Sequence, residues 1–80
     1  MKVFKFGGAS VKDADAVRNV GKILQLFPDQ HLLVVVSAMG KTTNALERLT
    51  DAYFYKKDDP RKLLQEVRAY HFNIAQELFP

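Results

Sequence analysis

Residues 32–40 read LLVVVSAMG. Leu32 to Val36 is a continuous run of branched apolar side chains, the length of a strand and far too short to span a bilayer. Such a run is the mark of a strand covered on both faces, as in a parallel sheet flanked by helices. It stops at Ser37-Ala38-Met39-Gly40, a small-residue loop that leads into a segment of helical spacing. A second stretch of the same design lies upstream, KVFKFGGAS over residues 2–10. There Val3, Phe4 and Phe6 suit a pleated surface over residues 2–6, and Gly7-Gly8 ends the strand.

Between the two lies a helix over residues 12–27. Ala14, Val17, Val20 or Gly21, Leu24 and Phe27 recur on one face. Asp13 and Asp15 stand at its start, where the backbone dipole favours carboxylates, and Pro28 stops it. Strand, crossover helix and buried strand make a βαβ unit, with a right-handed crossover expected. A further helix carries Ala45, Leu49, Ala52 and Tyr53 on one side, with Thr42 or Thr43 placed to cap it. Asp58-Asp59-Pro60 is a helix-start signal. The last helix is predicted from Arg61 to Phe79, with Leu64, Val67, His71, Ile74 and Leu78 along its stripe. The order is β-α-β-α-α, an α/β pattern. Two parallel strands are too few for a closed α/β core. The expectation is therefore that residues 1–80 are the first part of a longer α/β domain, with no second domain among them.

Composition narrows the function classes. The chain has 80 residues with 12 Lys+Arg against 9 Asp+Glu, a formal net charge of +3. The basic residues are scattered, and Lys56-Lys57 and Arg61-Lys62 flank Asp58-Asp59, so the local field largely cancels. A nucleic-acid interface needs a basic face with aromatic readers, which this sequence lacks. There is no cysteine, hence no disulfide or thiolate site, and the two histidines lie far apart. Lys2 and Lys5 interrupt the apolar residues of the start, so it does not read as a signal peptide. A cytoplasmic protein with neither membrane nor nucleic-acid partner is expected.

In open α/β sheets, ligands bind outside the carboxyl ends of the strands. Both strands end there in small-residue loops, Gly7-Gly8-Ala9-Ser10 and Ser37-Ala38-Met39-Gly40. Glycine lets backbone approach a ligand closely, and N–H groups exposed at a turn bind phosphate oxygens. Lys5 precedes the first loop and would supply the counter-charge. Taken alone, Lys5 reads equally well as an edge-strand lysine facing solvent, and Gly7-Gly8 as a tight turn. Two such loops converging at one sheet edge favour an anion site. Gly40-Lys41-Thr42 imitates the tail of a Walker A loop, but that motif needs glycine at position 35, where Val35 stands. The dinucleotide fingerprint is absent as well. Thr42, Thr43 and Asn44 suit helix capping, Ser37 a strand end, and His71 a packed position on an apolar stripe.

KFGGAS, Lys5 to Ser10, resembles the KFGGTS signature of aspartokinases, and VVVSAMGKTTNAL, Val34 to Leu46, resembles a second block of the same enzymes. The two occur in the expected order, one βαβ unit apart, and cover the first half of the chain. The resemblance implies the amino-acid-kinase fold, a carbamate kinase-like α/β/α sandwich with a mainly parallel sheet. It implies transfer of the γ-phosphoryl group of ATP to the side-chain carboxylate of L-aspartate, with Mg²⁺ bridging the nucleotide phosphates and a homo-oligomeric full-length enzyme. By position, Lys5 matches the catalytic lysine that contacts the phosphates. Phe6, Gly7, Gly8 and Ser10 match the ATP-binding loop. Ser37, Ala38 and Thr43 match positions that contact aspartate. Ala9 departs from the pattern, since the family usually has threonine there. Other kinases of the same fold, or a non-catalytic anion-binding module, are the alternatives; SAMGKTTN is the aspartokinase form of the block.

Overall fold

The computed structural model describes residues 1–80. They form two compact units, Met1–Lys41 and Thr42–Pro80.

The first unit contains β1 (Lys2–Phe6), a 3-10 turn (Gly8–Val11), α1 (Ala14–Gln25) and β2 (Leu32–Val36). The strands pair in parallel, Lys2 beside Leu32 and Phe6 beside Val36. The ladder is extended at both ends, by Lys2 N–H to the His31 carbonyl and by Ser37 N–H to the Phe6 carbonyl, each 3.0 Å. Alternation along β1 sorts its side chains by face. Phe4 and Phe6 share one face, their rings stacked with centroids 6.2 Å apart. The Phe27 ring closes on Phe4 at 5.1 Å, and the Lys2 ammonium lies 5.2 Å from the Phe27 centroid. Phe6, Val11 and Ala14 are the buried residues of this unit. Val3 and Lys5 share the opposite face, and both are exposed.

α1 is shorter at each end than the predicted 12–27, for local reasons. Asp13 takes an extended backbone and caps the helix, its Oδ1 accepting the Ala16 N–H at 2.8 Å. Lys12 stays in the preceding turn. At the far end, Leu26 N–H reaches the Ile23 carbonyl and Phe27 N–H the Leu24 carbonyl, each 3.1 Å. Those i→i−3 bonds tighten the last turn and bring Phe27 to the sheet. Val20 faces inward and Gly21 outward.

The expectation that β2 is covered on both faces is not met within this chain. Leu33 to Val36 are each between 36% and 53% exposed. The sheet has two strands, so β2 has a single hydrogen-bonded neighbour.

The second unit is a helix pair, α2 (Thr42–Tyr55) packed on α3 (Pro60–Leu78). Ala45, Leu49 and Ala52 line the inner side of α2, with Ala52 buried. Leu63, Val67, Tyr70, His71, Ile74 and Leu78 form the stripe on α3. Two expected members lie elsewhere. Tyr53 is 73% and Leu64 54% exposed, each displaced one residue from the apolar seam; a step of about 100° per residue turns them outward. Thr42 and Thr43 fall inside the first turn of α2 and not in front of it. Asp59 caps α3, its Oδ1 accepting the Arg61 N–H at 3.0 Å, with Pro60 opening the helix. His71 is a packed residue, Nδ1 lying 2.8 Å from the Val67 carbonyl oxygen. No helix is long and apolar enough to cross a membrane.

Candidate active site

The parallel, unshifted register brings the carboxyl ends of β1 and β2 level with one another. The loops that follow therefore begin side by side. Two backbone hydrogen bonds join them: Ser37 N–H to the Phe6 carbonyl at 3.0 Å, and Gly40 N–H to the Gly8 carbonyl at 2.9 Å. Lys5, Phe6, Gly7, Gly8, Ser10, Ser37 and Ala38 are thus gathered in the first unit. Thr43, exposed in the first turn of α2, belongs to the second.

The first loop is a 3-10 turn closed by Ser10 N–H on the Gly7 carbonyl at 3.0 Å. In such a turn the N–H groups of the leading residues, here Gly8 and Ala9, have no partner within the turn. They are donors of the kind that hold phosphate oxygens.

The two glycines have different surroundings. Gly7 has φ −76° and ψ 176°, a conformation open to any residue. A Cβ built there meets nothing within 4 Å. Neither backbone nor packing in this chain requires glycine at position 7. Gly8 is packed. A Cβ there would lie 2.6 Å from the Gly40 carbonyl oxygen and 2.9 Å from that of Ala38. Gly40 itself has φ 54°, in the left-handed region. The sequence reading placed Gly8 and Gly40 in separate ligand-facing loops. The packing makes them partners, a relation that no local spacing reveals.

Lys5 stands two positions before the loop. Its alternation partner is Val3, and its register partner is Val35. Its ammonium is on the solvent side of the sheet, with no ion pair to a carboxylate of this chain. The aromatic face behind it holds β1 in place. Phe6 contributes its ring to the core and its carbonyl to Ser37, so only its backbone is left beside the loop. Ser10, Ser37 and Ala38 are exposed. No group of three or more His, Cys, Asp or Glu is placed to hold a metal ion. The arrangement offers one cation, two free backbone donors, a bare glycine and two hydroxyls at one end of a parallel strand pair.

Residues 1–77 match the model of the family described as Amino acid kinase family. The bifunctional aspartokinase/homoserine dehydrogenase 1, chloroplastic, of Zea mays is 34% identical over 76 residues, 95% of this chain and 8% of that protein. The aspartokinase of Chlamydia trachomatis is 37% identical over 76 residues, 95% of this chain and 16% of that protein. Aspartokinase 2, chloroplastic, of Arabidopsis thaliana is 50% identical over 44 residues, 55% of this chain and 8% of that protein. The chain spans between 8% and 16% of the length of these relatives. With a family match running through nearly every residue, over a parallel pair whose loops meet at one end, the chain belongs to the amino acid kinase family.

Proposed function

We propose that this chain is the N-terminal part of an aspartokinase catalytic domain, the part that holds the phosphates of ATP and one side of the L-aspartate site. The observation that carries this reading is the joining of two loops by the Gly40 N–H to Gly8 carbonyl bond, beside the exposed Lys5. The similarity to aspartokinases of a plant and a bacterium over 76 residues supports the choice of acceptor.

In the reaction, a side-chain carboxylate oxygen of aspartate forms a bond to the γ-phosphorus. The bond from that phosphorus to the β,γ-bridging oxygen breaks, and the electron pair leaves with ADP. The product is 4-phospho-L-aspartate. Phosphoryl transfer is governed by positioning and by stabilisation of charge on the transferring group. Lys5 provides a cation beside that charge, and the N–H groups of Gly8 and Ala9 provide fixed dipoles that need no reorganisation. The open space at Gly7 admits the phosphate. Ser10 offers a hydroxyl where Ala9 lacks one. Ser37 and Ala38 hold one side of the acceptor. Mg²⁺, when bound to ATP, would supply charge neutralisation at the phosphates.

The 80 residues alone are expected to show no turnover, because they span a small share of the relatives they match. A chimera tests the reading. Residues of this chain replace the matched segment of the Chlamydia trachomatis aspartokinase, and acyl phosphate is trapped with hydroxylamine. Aspartate-dependent hydroxamate formation is expected, falling by about 10²–10³-fold on Lys5→Met, the scale of removing one charge-stabilising group. A folded chimera that consumes ATP without dependence on aspartate would refute the choice of acceptor.

A further inference from the structure

We propose that Gly40 is a positioning residue, one that locks the loop holding the donor phosphates to the loop holding the acceptor at a fixed spacing. The proposal rests on the phosphate-binding reading given above and adds a residue to it. Three observations combine. Gly40 adopts φ 54°, which an L side chain rarely takes. In that conformation its N–H donates to the Gly8 carbonyl at 2.9 Å. Its own carbonyl oxygen occupies the space a Gly8 side chain would fill, 2.6 Å from the Cβ position, with the Ala38 carbonyl oxygen at 2.9 Å. Contact this close is possible only when position 8 has no side chain. The left-handed turn at position 40 calls for glycine there, and the close approach of the Gly40 and Ala38 carbonyl oxygens calls for glycine at position 8. The two requirements meet across the gap between the two loops.

The reaction makes this spacing matter. Donor and acceptor atoms must approach to about 3–3.5 Å, and a shift of about 1 Å is enough to cost about 10²-fold in rate. A loop pair tied by two backbone hydrogen bonds and one backbone contact moves as a single body. Ligand bound at the first loop is then felt at the second.

The test uses the 80-residue chain, labelled with ¹⁵N and titrated with the magnesium complex of the non-hydrolysable ATP analogue AMP-PNP. In the wild type, the amides of Gly8 to Ser10 and those of Ser37 to Gly40 are expected to shift together with one apparent Kd. The Gly40 amide should also exchange slowly with solvent. Gly40→Asn should retain both behaviours, since asparagine tolerates left-handed backbone. Gly40→Val should keep the response at Gly8 to Ser10, lose it at Ser37 to Ala38, and expose the residue 40 amide at least tenfold. If Gly40→Val does not fold, Gly8→Ala serves instead and should likewise uncouple the second loop. Joint shifting of both loops at the wild-type Kd in the folded Val and Ala variants would overturn the proposal. A wild-type chain with a protected Gly40 amide and no response in either loop would instead overturn the phosphate-binding reading, and the positioning role with it.

Discussion

A methyl group on Gly7 would meet no atom within 4 Å, whereas one on Gly8 would collide with two carbonyl oxygens of the neighbouring loop. The two neighbours should therefore respond differently to the same mutation. Gly7→Ala is expected to leave chemical denaturation unchanged or slightly stabilised, by about 0.4–1 kcal/mol, because its φ of −76° suits alanine. It should weaken binding of a polyphosphate, read by titration with AMP-PNP. Gly8→Ala should cost about 1–3 kcal/mol, the scale of overpacking. Equal loss of stability in both variants would contradict this division. Asp13 gives a third residue-scale expectation. Removing its cap on Ala16 as Asp13→Ala should cost about 1 kcal/mol, with Asp13→Asn costing much less. That Lys5 ends up near the carboxyl end of β1, with Gly7 and Gly8 in the turn behind it, was legible because two glycines after an apolar run are a local signal. The pairing of Gly8 with Gly40 was not, because a contact between residues far apart leaves no mark in the spacing of either.

At the scale of elements, strand and helix positions followed from periodicity. β1 and β2 fall where alternation and branched residues place them, and α3 starts at the proline that the Asp58-Asp59-Pro60 signal marks. Errors arose where two apolar neighbours compete for one seam. Leu63 and Leu64 are chemically identical, and only the packing of α2 on α3 selects Leu63. Ala52 is buried at 3% exposure while its neighbour Tyr53, one step of about 100° further round the helix, is 73% exposed. The end of α2 holds a testable strain. Lys56 follows the last residue of the helix with φ 55°, the left-handed position that usually terminates helices as glycine. Lys56→Gly should relieve about 1–2 kcal/mol of backbone strain. Part of that gain is offset by about 0.5–1 kcal/mol of added chain entropy in the unfolded state. A net stabilisation of about 0.5–1 kcal/mol is expected in urea denaturation of the full chain. A destabilised variant would show that the lysine side chain contributes more than its backbone costs.

For the whole molecule, the branched apolar run of β2 predicts more cover than these residues provide. Val3 is 61% and Val35 45% exposed, and each strand has only one partner. Unpaired strand edges and exposed apolar faces favour association. Sedimentation velocity should show the chain associating as its concentration rises. Leu33→Lys, which places a charge on the open face beside Val3, should suppress it. A chain that stays monomeric at all accessible concentrations would contradict this expectation. The α/β class and the order of elements were legible because each element carries its own period. How the sheet faces are covered was not, because a run of valines states a demand for neighbours without identifying them.

The parallel register has one more consequence. Each residue of β1 is matched to a partner on the far side of α1, from Lys2 with Leu32 to Phe6 with Val36. Closing so long a segment is slow compared with forming a local turn. During synthesis on the ribosome, a nascent polypeptide arrested before Leu32 emerges would already contain the whole glycine signature. It would still lack the cradle, which comes into being only when the second strand docks.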